Sequence, residues 1–114
     1  MIQRLKEAKE KHLTNLQDEL TRVKLILIEM GAQKIILFGS SIRGELGLMS
    51  DIDLLVVIES DKDFIERLSY FYQKIQPIDI DILIYTPCEF LRMMEENLFI
   101  QHIVKKGKII FERV

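Results

Sequence analysis

The sequence predicts an α/β (α+β) fold: a small mixed β-sheet with helices packed on it. Three observations carry that prediction. Apolar residues recur at three- and four-residue steps from Leu13 to Met30, as on one face of a helix. Three later runs, KIILF, DIDLLVVI and IDIDILIY, have the apolar make-up of strands, and each lies near glycine, proline or acidic residues that mark strand ends. Helical spacing returns between and after those runs, so strands and helices are interleaved.

In chain order, residues 2–30 lack Gly and Pro and read as one long helix, with Leu13, Leu16, Leu20, Val23, Leu27 and Met30 as its stripe and Gly31 as its stop. Residues 3–12 are nearly all polar, so the first turns project from the core as a solvated extension or a contact surface. Lys34–Phe38 is a short buried strand closed by Gly39-Ser40. Residues 41–50, with Gly44, Gly47 and Ser50, form a loop or a brief helical turn. Asp51–Ile58 is a second strand whose LLVVI body is apolar on both faces, as in a central strand. Residues 61–75 are helical and end before Pro77, with Phe71 in the core and Tyr70 or Tyr72 turned to a ligand or partner.

Ile78–Tyr85 is a third strand that puts Asp79 and Asp81 on one face. Thr86, Pro87 and Glu89 spell an N-cap, a first helical residue and a capping box. Asn97 caps a last helix that ends at Gly107, and KIIFE closes the chain as a small strand. In that last helix His102 reads as a residue at the edge of the core.

No composition shift divides the 114 residues, so 1–114 is expected to be a single domain. A formal charge of −2 argues against a protein that coats nucleic acid by charge alone. No apolar stretch reaches the roughly 18 to 20 residues of a membrane span, and the opening MIQRLKEAKEKH lacks the apolar region of a signal peptide. One cysteine, Cys88, cannot form an internal disulfide, which fits a cytoplasmic protein. The long first helix makes self-association or a partner contact an open expectation.

The chemistry concentrates around Gly39-Ser40 and Asp51-Ile52-Asp53. A strand's period of two points Asp51 and Asp53 the same way, and two carboxylates on one face repel unless a cation is held between them. Mg²⁺ suits such a pair because it takes oxygen ligands, one or two of them carboxylates, and completes its shell with water and phosphate. If the third strand neighbours the second, Asp81 or Asp79 adds a third carboxylate, and two metal ions then clamp an in-line displacement at phosphorus. Gly39 allows close backbone approach to a phosphate, Ser40 offers a hydroxyl, and Arg43 can neutralise a triphosphate.

Gly39-Ser40, ten residues, then Asp51-Ile52-Asp53 resembles the GS-x10-DxD signature of the DNA polymerase beta-like nucleotidyltransferase superfamily. The small size and the GSxxRG form of residues 39–44 resemble its minimal nucleotidyltransferase (MNT) branch. The resemblance runs from about residue 20 to the C-terminus. It implies a palm-like nucleotidyltransferase fold, with Asp51, Asp53 and Asp81 as catalytic residues on two Mg²⁺ ions, and Asp79 in reserve. It also implies that Gly39, Ser40 and Arg43 contact the triphosphate of an ATP donor. Many MNT proteins are antitoxins of HEPN-domain toxins, and some transfer AMP from ATP to a tyrosine of that toxin. The function implied is therefore nucleotide transfer to a hydroxyl on a HEPN-domain partner protein. The alternative is a weakly active or non-catalytic nucleotide-binding module that neutralises its partner by contact. A haloacid dehalogenase-type phosphotransferase also uses DxD, but there the apolar strand precedes the motif, whereas here LLVVI follows it.

Overall fold

A computed structural model describes residues 2–39 and 52–114. Along the chain they form α1 (Ile2–Glu29), β1 (Lys34–Phe38), β2 (Ile52–Val57), α2 (Phe64–Ile75), β3 (Ile80–Tyr85), α3 (Pro87–Glu96), α4 (Leu98–Lys106) and β4 (Lys108–Glu112). The strands make one sheet in the order β3-β2-β1-β4, with β2 and β3 parallel and the other pairs antiparallel. This is the mixed sheet that the interleaved pattern predicts.

Each face of the sheet buries its own core. Ile52, Leu54 and Val56 of β2 and Ile80, Ile82 and Ile84 of β3 face α1 and α2, meeting Val23, Leu27, Phe71 and Ile75. Leu55 and Val57 face the other way, with Ile36, against Phe90 of α3 and Ile100 and Ile103 of α4. The period of two thus distributes β2 between both layers, which is why its body is apolar throughout.

The chain signals hold at most element ends. Thr86 accepts from the Glu89 amide and the Glu89 side chain accepts from the Thr86 amide, a complete capping box with Pro87 in the first turn. Asn97 caps α4 by accepting from the Ile100 amide. Among the described side chains of α1 the first buried one is Leu16, and residues 3–8 lie exposed ahead of it, in keeping with a projecting first segment.

Two boundaries differ by two or more residues from the sequence pattern. The second helix begins at Phe64 rather than 61, because Asp63 takes the extended cap conformation and accepts from the Glu66 amide. The third strand begins at Ile80 rather than 78. Asp79 sits at φ 58°, and the Ile78 amide donates to Glu19 at 2.7 Å. Arg22 bridges this turn to α1: it pairs with Glu19 at 2.7 Å and donates to the Ile75 carbonyl at 3.0 Å and the Gln76 carbonyl at 3.2 Å. The hydrogen bond from Arg22 holds the Glu19 carboxyl below its usual range. Local alternation favours strand from Ile78 onward, and this tertiary network overrides it.

Candidate functional site

The sheet register brings the acidic residues together. Asp53 of β2 lies directly beside Asp81 of β3, and Asp53 also pairs across to Phe38, the last residue of β1. Neighbouring strands run about 4.8 Å apart, so the two carboxylates leave the same face at adjoining positions. They share the face that α3 and α4 cover from Leu55 and Val57 onward. At Asp53 the strand reaches the edge of that cover, leaving Asp53 half-buried and Asp81 exposed.

Gly39 completes this edge. It has φ +85°, and a Cβ placed there would run into the Asp53 carboxylate. Both the backbone conformation and the space at this position therefore require glycine. Ser40, Arg43 and Asp51, the other expected site residues, lie outside the described residues, as do Gly44 and Gly47. Asp79 goes elsewhere. It lines a hollow with Asn15, Glu19 and Arg22, away from the cleft that holds Asp53 and Asp81.

Beside the two carboxylates a cleft lined by residues of α2, β3 and α4 opens along the edge of β3. Leu68, Ser69 and Tyr72 form one wall. Phe99, His102 and Lys106, on successive turns of α4, form the other. The Tyr72 hydroxyl accepts from the Ile82 amide at 2.7 Å and donates to the Ile82 carbonyl at 3.3 Å. It thereby stands in for a neighbouring strand along the open edge of β3. His102 is exposed on the cleft instead of tucked at the core edge, because Ile100 and Ile103 supply the buried side of α4.

At the other end of β3 is a second polar centre that the sequence reading missed. Arg67 of α2 is 2 % exposed and pairs with Glu89 through both carboxylate oxygens, at 2.7 and 3.3 Å. It also donates to the carbonyls of Ile84 at 3.0 Å and Lys62 at 2.9 Å, while its Nε finds no partner. Burial raises the Glu89 pKa, but the Thr86 amide and Arg67 outweigh it and hold the carboxyl below its usual range. The signal for Arg67 was faint: one cation in an amphipathic helix resembles any solvated residue.

The donor set at the strand edge fits a hard divalent cation. It offers carboxylate oxygens without thiolate, on two adjacent strands, beside a backbone stretch kept open by glycine. Among the described residues no group of three or more metal-ligating side chains comes together. Asp53 and Asp81 are thus the described part of the expected three-carboxylate set, and Asp51 is its remaining member.

Comparison with known proteins identifies the family. The model of the nucleotidyltransferase domain family matches residues 20–110. The chain therefore belongs to the nucleotidyltransferase domain family. Among solved structures, a nucleotidyltransferase from Sulfolobus solfataricus is similar at TM-score 0.54 and 20% identity, over 85% of this chain and 86% of that one. A toxin–antitoxin structure with AMP-PNP is similar at TM-score 0.51 and 22% identity, over 80% and 72% of the two chains. A mutant MntA–HpeT toxin–antitoxin structure is similar at TM-score 0.51 and 27% identity, over 79% and 72%. These neighbours share the fold that the resemblance implies. No curated protein sequence gave a significant match. Among the described residues no helix is long and apolar enough to cross a membrane.

Proposed function

We propose that this protein is a Mg²⁺-dependent nucleotidyltransferase that moves AMP from ATP to a hydroxyl of a HEPN-domain partner protein, as the antitoxin of a toxin–antitoxin pair. The observation that carries the reading is the register of β2 and β3, which sets Asp53 beside Asp81 next to Gly39. The family match and the toxin–antitoxin neighbours support it.

In this reading Asp51, Asp53 and Asp81 would hold two Mg²⁺ ions, whose charge would offset that of the phosphates and acidify an acceptor hydroxyl. Gly39 keeps the strand end open so that backbone and the Ser40 hydroxyl meet the triphosphate, and Arg43 adds a positive charge. Asp81, the more exposed of the described pair, accepts a hydrogen bond from the acceptor hydroxyl and turns its oxygen toward the α-phosphorus. That oxygen forms the new bond to phosphorus, the bond to the bridging oxygen breaks, and pyrophosphate departs. The hydroxyl proton passes to the Asp81 carboxylate and on to solvent. The protein's own part is chiefly positioning and charge placement.

The test is to incubate the protein and its copurifying partner with Mg²⁺ and ATP labelled at the α- or, separately, the γ-phosphate. Label from the α-phosphate alone, lost in Asp53→Asn and Asp81→Asn, is the expected result. Label from the γ-phosphate would mean a kinase-like reaction. No label, with full neutralisation of the partner by both variants, would mean a binding module.

A further inference from the structure

The wall formed by α4 carries a feature that the acidic edge does not account for. Phe99 is a large apolar side chain left 58% exposed, and it lines the same cleft as Asp53 and Asp81. Exposure alone does not set it apart, since Leu98 at 80% and Leu91 at 67% are more exposed; its place in the cleft beside the acidic edge does. The ring is also braced. It meets Phe38 edge-on, with centroids 6.3 Å apart and planes at 84°. Phe38 is the residue before Gly39 and the cross-strand partner of Asp53, so the brace joins the ring directly to the acidic edge. The helix beneath is fixed by the Asn97 cap and by Ile100 and Ile103, both essentially fully buried.

We propose that Phe99 is the platform on which the base of the donor nucleotide stacks. This deepens the nucleotidyltransferase reading and rests on it. With Mg²⁺ held at Asp53 and Asp81 the phosphates would sit at this edge, and a nucleoside triphosphate bound there would put its base within the cleft. An aromatic face already held at a fixed angle accepts a base by stacking without an ordering cost of its own. The other wall serves this less well, because the Tyr72 hydroxyl is engaged on both sides by the Ile82 backbone and ties its ring to the edge of β3. Stacking tolerates any base and favours the larger purine surface. Phe99 therefore confers a preference for purine over pyrimidine donors, with little distinction between adenine and guanine.

The experiment measures binding of ATP, GTP, CTP and inorganic tripolyphosphate to the full chain with Mg²⁺ by calorimetry, for wild type, Phe99→Ala and Phe99→Trp. Phe99→Ala should weaken ATP and GTP by about tenfold, leave tripolyphosphate unchanged, and level the preference over CTP. Phe99→Trp should restore purine binding. Equal losses for ATP and tripolyphosphate would overturn the proposal, since the residue would then act on the fold or on the phosphates. Unchanged ATP binding in Phe99→Ala would also overturn it and assign the ring to a protein-facing surface. Wild-type protein that binds none of the nucleotides would remove the nucleotidyltransferase reading itself, and the platform with it.

Discussion

The two ends of β3 treat carboxylates in opposite ways. At its C-terminal end, Glu89 meets the guanidinium of Arg67, which also satisfies the carbonyls of Ile84 and Lys62. At its N-terminal end, Asp81 has another aspartate, Asp53, as its register partner. The first arrangement supplies its own counter-charge and knits α2, β3 and α3 together. The second sets two carboxylates side by side at the mouth of a cleft, where in the proposed function a divalent cation would sit. A fold that answers one carboxylate with a buried arginine and sets two others side by side separates the work of stability from that of binding.

Substitutions should divide along the same line. The largest effect is expected at the acidic end: Asp53→Asn or Asp81→Asn should lower nucleotide transfer by at least about a hundredfold. The melting temperature of the metal-free protein should change little in Asp81→Asn, since the Asp81 side chain is exposed. A melting temperature that falls sharply in both variants would break the comparison.

The opposite profile is expected at the other end. Arg67→Met removes a buried guanidinium that donates four hydrogen bonds and should cost about 2–4 kcal/mol in chemical denaturation. The folded fraction should still transfer nucleotide. Tyr72→Phe removes the hydroxyl that occupies the Ile82 amide and carbonyl and should cost about 1–2 kcal/mol. It also bares a strand edge, so concentration-dependent association by light scattering is the matching observation. Thr86→Ala, which breaks the capping box of α3, should cost about 1 kcal/mol.

Acid should act on the stabilising end in a defined direction. The Glu89 and Glu19 carboxyls are held below the ordinary glutamate value of 4.5, so each contributes stability that is complete above that pH. Their contribution is lost as the pH falls below 4.5 through the lowered folded-state values. Arg67→Met should flatten part of that acid limb, and a limb identical to wild type would show that Glu89 does not couple to Arg67.

Much of this division was legible in the sequence, and the reasons differ by residue. Capping residues act within three or four positions of the chain, so Thr86, Glu89 and Asn97 announced their helices directly. Alternation fixed which face Asp81 shares, but its pairing with Asp53 depends on strand order, which alternation does not encode. Asp79 and Asp81 look equivalent in IDIDILIY. The Glu19–Arg22 network and the turned backbone at Asp79 separate them, and both come from contacts with α1 and α2. The roles of Arg67 and Tyr72 and the cleft-facing side of α4 were hidden for a similar reason. Their partners, Glu89, Ile82 and Phe38, are distant in sequence or on another element. Ser40, Arg43 and Asp51 lie outside the described residues, so their part in the site rests on the motif.

The most direct test of the central claim is divalent-ion binding, read with Mn²⁺ as a spectroscopic stand-in for Mg²⁺ in the presence of AMP-PNP. Wild type, Asp53→Asn, Asp81→Asn and Asp79→Asn would be titrated in parallel. The account predicts that Asp53→Asn and Asp81→Asn each lose most of the tight binding while Asp79→Asn matches wild type. Tight binding that survives Asp81→Asn and disappears in Asp79→Asn would contradict it, and would move the third carboxylate to the far side of the sheet.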